Sequence, residues 1–279
     1  MSSGYTMIEV MIFLAVSAAL LLFSFTFLSG ANGQESFSQS MRDLQSKMQS
    51  WLDDVSNGFA YGTPGNSSCG LGGAPGIQVN GTPRGANYQP SCIFLGKAIQ
   101  FTDDSSTVYA YSVFGKRLNS VTGDLASNIS ETGPVPAVGK LADGSSAGTG
   151  SAQLTEAYPL QQGTLVSHVV KSSGVIADTS HIAGFYLSLN TDQSISQNGE
   201  SNVKAYQYKL GSTPGLSAGV VDCLEDNGLS CGLGAGTEPP ALTDWEVCFK
   251  NNSNNNTALL TIRSNGGQGV STQLEFKAC

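Results

Sequence analysis

Charge is scarce in this sequence. Asp, Glu, Lys and Arg make up 12% of the 279 residues, about half of what an ordinary soluble domain carries. Basic residues number 13 against 21 acidic ones, giving a net charge of −8, and they are scattered. A surface that tracks phosphates concentrates Lys and Arg, so nucleic acid is disfavoured as the main partner. Histidine occurs only as His168 and His181. Ser167 and His168, with Asp178 nearby, are hydrolase-type residues, but Ser167 is not framed as Gly-x-Ser-x-Gly and reads as a polar residue flanking a strand. No P-loop is present, so this chain carries no signature of ATP hydrolysis. Gly232, Gly234 and Gly236 lack dinucleotide-loop spacing and run into Thr-Glu-Pro-Pro rather than a helix. Cys-x-x-Cys is missing, which removes the usual spacing for zinc or thiol redox chemistry. These absences weigh against a cytosolic enzyme and nominate no catalytic residue.

What is present is glycine, 34 of them, with abundant Ser, Thr and Asn. That composition suits a β-rich extracellular body with long loops. The cysteines are Cys69, Cys92, Cys223, Cys231, Cys248 and Cys279, all after an apolar amino-terminal segment. An even number beyond a membrane segment points to disulfides in an oxidising compartment. Six cysteines allow about fifteen pairings. The local set is favoured: Cys69 with Cys92, Cys223 with Cys231, Cys248 with Cys279. The alternative is that some stay free and buried. Asp222, Glu225, Asp226 and Asn227 gather oxygen side chains in one short loop. Such loops can hold calcium, but this one does not match an EF-hand and reads as solvated, so no metal or cofactor is expected.

The amino terminus reads MSSGYTMIEVMIFLAVSAALLLFSFTFLSG. Val10 to Leu28 contains no charge and is long enough to cross a bilayer core as a helix. A secretory signal would need a basic leading region, which Met1–Gly4 lacks. An ordinary anchor tolerates Glu9 only if its carboxylate reaches the headgroups. The flanks set no clear orientation, since Arg42 and Lys47 both follow the segment.

A third reading accounts for the acid. Gly4-Tyr5-Thr6-Met7-Ile8-Glu9-Val10 resembles the processing site of type IV prepilins and pseudopilins. Gly4 matches that family's cleavage glycine, Thr6 its usual threonine, Ile8 its apolar neighbour and Glu9 its glutamate. Tyr5 stands where Phe is usual, and Ser3 where a basic residue is usual. The resemblance implies a leader, residues 1–4, removed by a prepilin peptidase that also methylates the new amine of Tyr5. It implies that Glu9 of an entering subunit meets the Tyr5 amine of a neighbour in a filament, fimbrial or of the type II secretion kind. It implies further partners: other pilin subunits, an assembly-platform protein and a separate ATPase motor. The setting it implies is bacterial, a single pass of the inner membrane followed by an extracytoplasmic or cell-surface filament. Some pseudopilins carry calcium, and a disulfide like Cys248–Cys279 resembles the one closing the carboxyl-terminal region of many pilins.

Beyond the apolar run, Phe37, Met41, Leu44, Met48, Trp51 or Leu52, and Val55 recur at three- and four-residue steps, the mark of an amphipathic helix. Arg42, Asp43, Lys47 and Asp53 fall on its polar face. One helix over residues 5–56, with 10–28 in the membrane, would run roughly 80 Å. Gly30 and Gly33 each weaken it by about 1 kcal/mol, and the resemblance implies a flexible or melted point there in a filament.

The head, residues 57–279, opens with a Gly/Pro-rich loop to Pro90. Strands are expected in CIFLGKAIQF, TVYAYSVF, IAGFYLSLN, VKAYQYKL, DWEVCFKN, TALLTIRS and STQLEFKAC, and a surface excursion from Asn119 to Ala157. The expected class is α+β: a long helix, half membrane and half amphipathic, packed on an antiparallel, pilin-like head. Structural filament subunit is the leading function. A filament-tip adhesin or DNA-uptake subunit is the second reading, favoured by the size of the excursion. A membrane-tethered enzyme is the third and has no nameable site.

Overall fold

A computed structural model of the chain describes residues 6–58, 67–69, 77–79, 93–115, 126, 129–132, 135–137, 155–171, 174–175, 180–187, 203–209, 242, 244–252, 256–264 and 269–279, with the side chains of 25–32 left aside. Helix α1 spans Met7–Ser56 without interruption, Gly30 and Gly33 included. It begins at Met7, with Thr6 as its extended N-cap, rather than at Tyr5. The sequence explains the start. Thr6-x-x-Glu9 is a capping box, whose two side chains satisfy amide donors that a first helical turn leaves open. Its two halves live in different surroundings. Met7–Ser24 has a mean hydropathy of 2.3 and none of it is buried within the protein. That segment is long and apolar enough to cross a membrane. The second half buries its apolar stripe: Phe37, Met41, Leu44, Met48, Trp51, Leu52 and Val55 all lie in the core.

The head is built from strands β1 (Ser67–Cys69), β2 (Ile77–Val79), β3 (Ile93–Thr102), β4 (Thr107–Gly115), β5 (Val135–Ala137), β6 (Thr155–Pro159), β7 (Thr164–Lys171), β8 (Gly174–Val175), β9 (Ser180–Leu187), β10 (Val203–Lys209), β11 (Asp244–Asn251), β12 (Thr257–Ser264) and β13 (Val270–Glu275). They form two large antiparallel sheets and a small β1–β2 hairpin, where one sheet was expected. The first sheet runs β10-β9-β3-β4-β5, with β6 sharing the far edge of β4. The second runs β13-β12-β11-β7-β8. The expected loop before Pro90 thus contains the β1–β2 hairpin. The expected surface excursion contributes β5, β6 and a short 3-10 turn, Ile129–Thr132, and β5 and β6 both pair with β4.

Helix and sheets share one core. Ile99 and Phe101 of β3, Ala183 and Phe185 of β9, Val166 and Val169 of β7, Trp245 and Phe249 of β11, and Leu260 of β12 close on the helical stripe. Phe101 and Phe249 meet edge to face across the two sheets, with ring centroids 6.5 Å apart. The turn after β3 ties the sheets through backbone: Asp104 N donates to Val166 O and Val166 N to Ser105 O. The first sheet is buried on its other face too. There Tyr111 Oη donates to Gln100 Oε1, and Tyr208 Oη donates to Tyr186 Oη at 2.9 Å. The helix also covers a sheet edge, since Gln45 Nε2 donates to the Thr272 carbonyl of β13. Covering such an edge removes a template for pairing with other chains.

Candidate functional site

At the amino end, the Glu9 carboxylate is already engaged by its own chain. Its Oε2 accepts from the Thr6 amide at 3.0 Å and from Thr6 Oγ1 at 3.0 Å, while the Glu9 amide donates to Thr6 Oγ1 at 3.4 Å. These bonds satisfy the helix end but bring no positive charge. Around them Met7, Ile8, Val10, Met11 and Ile12 point outward, all exposed. Gly4 and Tyr5, the expected cleavage and methylation residues, lie outside the described residues. The capping box was readable in the sequence as Thr-x-x-Glu ahead of an apolar run, and the reading of Glu9 as an assembly group passed it over.

Where the helix meets the head, four charged side chains join. Lys97 stands in the β3 row that faces the helix, beside Ile99 and Phe101, and is 1% exposed. Its Nζ lies 2.8 Å from Asp54 Oδ2 and 2.6 Å from Glu156 Oε1. The other oxygen of Glu156 accepts from Lys47 Nζ at 2.7 Å and from Trp51 Nε1 at 2.9 Å. Trp51 in turn sits under the Lys47 ammonium and edge-on to Tyr158. Burial pushes the Glu156 carboxyl up, but hydrogen bonds from Lys47, Lys97 and Trp51 and the Lys97 charge outweigh it and hold the pKa at about 2. Two cations and two anions therefore neutralise one another at the junction. Of these, sequence reasoning had placed only Lys47, on a polar face. The missed signal for Lys97 is a lysine breaking an apolar period-2 row; Glu156 has none, because its strand is short and its partners are distant.

The remaining expectations fall as follows. Cys248 and Cys279 are joined, with Cα atoms 5.9 Å apart, which staples the chain end to β11. Cys69 ends β1, while Cys92, Cys223 and Cys231 lie outside the described residues, as do Asp222, Glu225, Asp226 and Asn227. Among the described residues no group of His, Cys, Asp or Glu is arranged to hold a metal ion. His168 Nδ1 lies 3.1 Å from Ser167 Oγ, a contact between chain neighbours, and Asp178 is outside the described residues. His181 is buried edge-on against Trp245 and 3.6 Å from Asp103. Gly-x-Ser-x-Gly does occur at Gly144–Gly148 and Gly215–Gly219, outside the described residues. Neither follows directly on a described strand, the setting a nucleophile elbow requires. An open cleft of about 920 Å³ is lined by the helix and the carboxyl-terminal tail, with Arg42 and Lys277 mixed among Glu35 and Asp43.

No protein-family model, no curated protein and no solved structure matches this chain.

Proposed function

We propose that this chain is a structural subunit, a pilin or pseudopilin, of a type IV filament, cut after Gly4, N-methylated at Tyr5 and assembled through its amino-terminal helix. The observation that carries the reading is Glu9: a carboxylate at the head of an apolar helix with no part of its first eighteen residues buried. The capping box alone explains the acid at a helix end in water. In a lipid or protein interior an anion also needs an opposite charge. A mature Tyr5 amine on an adjoining subunit would supply it, and methylation keeps that amine charged. Loss of one partner from such a buried pair costs about 3–5 kcal/mol. The pair would then check the axial position of each entering subunit. Prepilin peptidase, an assembly-platform protein, a separate ATPase motor and other pilin subunits are the partners this reading requires.

Glu9→Gln separates the two roles of the acid, because glutamine at this position still closes a capping box but carries no charge. The variant is expected to insert in the membrane and keep its helix, yet to enter filaments at least tenfold less than the parent. Glu9→Ala and Glu9→Leu are expected to behave likewise. Normal incorporation of Glu9→Gln would reduce the acid to a helix cap and defeat the filament mechanism.

A further inference from the structure

The apolar stripe that docks the helix on the head repeats in its central part. Met41 and Met48, Leu44 and Trp51, and Met48 and Val55 are each seven residues apart, and all are buried. A slide of one heptad, about 10 Å along the axis, returns apolar residues to these central places, at the cost of bringing Gln34 and Gln45 into the places of Met41 and Leu52, or the helix end into that of Trp51. The charges at the junction oppose the same slide. Lys47 and Asp54 are also seven residues apart, on the same face, with opposite signs. Each meets a partner of opposite sign, Lys47 on Glu156 and Asp54 on Lys97. A slide in one direction brings Lys47 into the place of Asp54 and sets ammonium against the buried Lys97 ammonium. A slide in the other brings Asp54 into the place of Lys47 and sets carboxylate against Glu156. Both alternatives put like charges together, beside the buried Lys97 or the partly buried Glu156, where water screens their repulsion less than at an open surface.

We infer that Lys47, Asp54, Lys97 and Glu156 form a register key that fixes how far the apolar segment Met7–Ser24 stands out from the head. A buried polar contact that specifies register among similar apolar alternatives is an established use of such groups. The key follows from the helix-to-head contacts alone and holds whether the apolar segment anchors a solitary protein or enters a filament.

The test uses the full chain in detergent micelles. Nitroxides carried on noncanonical residues at the exposed positions Ser46, on the helix, and Ser271, on β13, report register by pulsed electron resonance and leave the cysteines untouched. The parent is expected to give one narrow distance distribution. Lys47→Glu with Asp54→Lys exchanges the helical charges, which disfavours the native register and favours a slid one, so a displaced or second population is expected. Adding Lys97→Glu and Glu156→Lys is expected to restore the parental distance. A charge-exchanged helix that keeps the parental distance and width overturns the inference. Should that double variant fail to fold, Lys97→Met decides. It preserves length and apolar packing, and a second population supports the key while an unchanged single distribution refutes it.

Discussion

At the scale of single residues, the junction makes a pH prediction with a definite sign. Glu156 is held at about 2, below the ordinary carboxylate value of 4.5, so its contribution to stability is complete above about pH 4.5 and is lost as the pH falls towards 2. A shift of that size would correspond to roughly 3 kcal/mol, and contact with water at this partly exposed carboxylate screens it to about 1–2 kcal/mol. Glu156→Gln should therefore lower the free energy of unfolding by that amount at pH 7. Denaturant titrations of both proteins from pH 7 to pH 2 should converge at the acid end; a constant gap would assign the loss to packing instead. Residue-scale legibility was uneven. Phe37, Met41, Leu44 and Met48 announced their burial through spacing, because a helix converts sequence period directly into a face. Lys97 and Glu156 stayed hidden because each is paired with residues far away in the chain, which no local pattern encodes.

At the scale of elements, the helix and the strands rich in β-branched and aromatic residues were readable: β10, β11 and β12 fall within expected segments, and β3, β4, β9 and β13 overlap theirs but run past one end. β7 went unread, although it is an interior strand of its sheet, between β11 and β8. Its Thr164–Lys171 sequence holds Ser and His between apolar residues, and its pairing partner is far along the chain. β5 and β6 are short, carry Pro136 and Pro159, and pair with one edge of β4. Gly96, at the irregularity where β3 crosses Phe94 to reach its β4 partner, shows what the bulge demands. A Cβ there would run into the Phe185 carbonyl of β9. Gly96→Ala is expected to cost about 1–3 kcal/mol through overpacking, measurable as a lowered denaturation midpoint with unchanged slope. The Cys248–Cys279 disulfide closes a separation of 31 residues, and replacing both cysteines by serine should cost about 3–4 kcal/mol. Phe276 packs edge-on to Phe37 just before that staple, so the loss should appear first as faster amide exchange in residues 270–279.

At the scale of the whole molecule, one uninterrupted helix joins a part with no burial of its own to a part whose apolar stripe is embedded in a two-sheet head. The α+β class was legible because a long apolar run followed by an amphipathic period leaves few other outcomes. The second sheet was not, since counting strands does not say which edges meet. In the proposed filament, the register key and Glu9 would act on the same quantity, the axial position of the helix, from its two ends. The filament reading rests on processing at Gly4, and mass spectrometry of the mature amino terminus, isolated from the native membrane or from filaments, tests it most directly. The predicted result is a chain beginning at N-methyltyrosine, Tyr5, with Met1–Gly4 removed; an intact Met1, or a cut near Gly30, would contradict it.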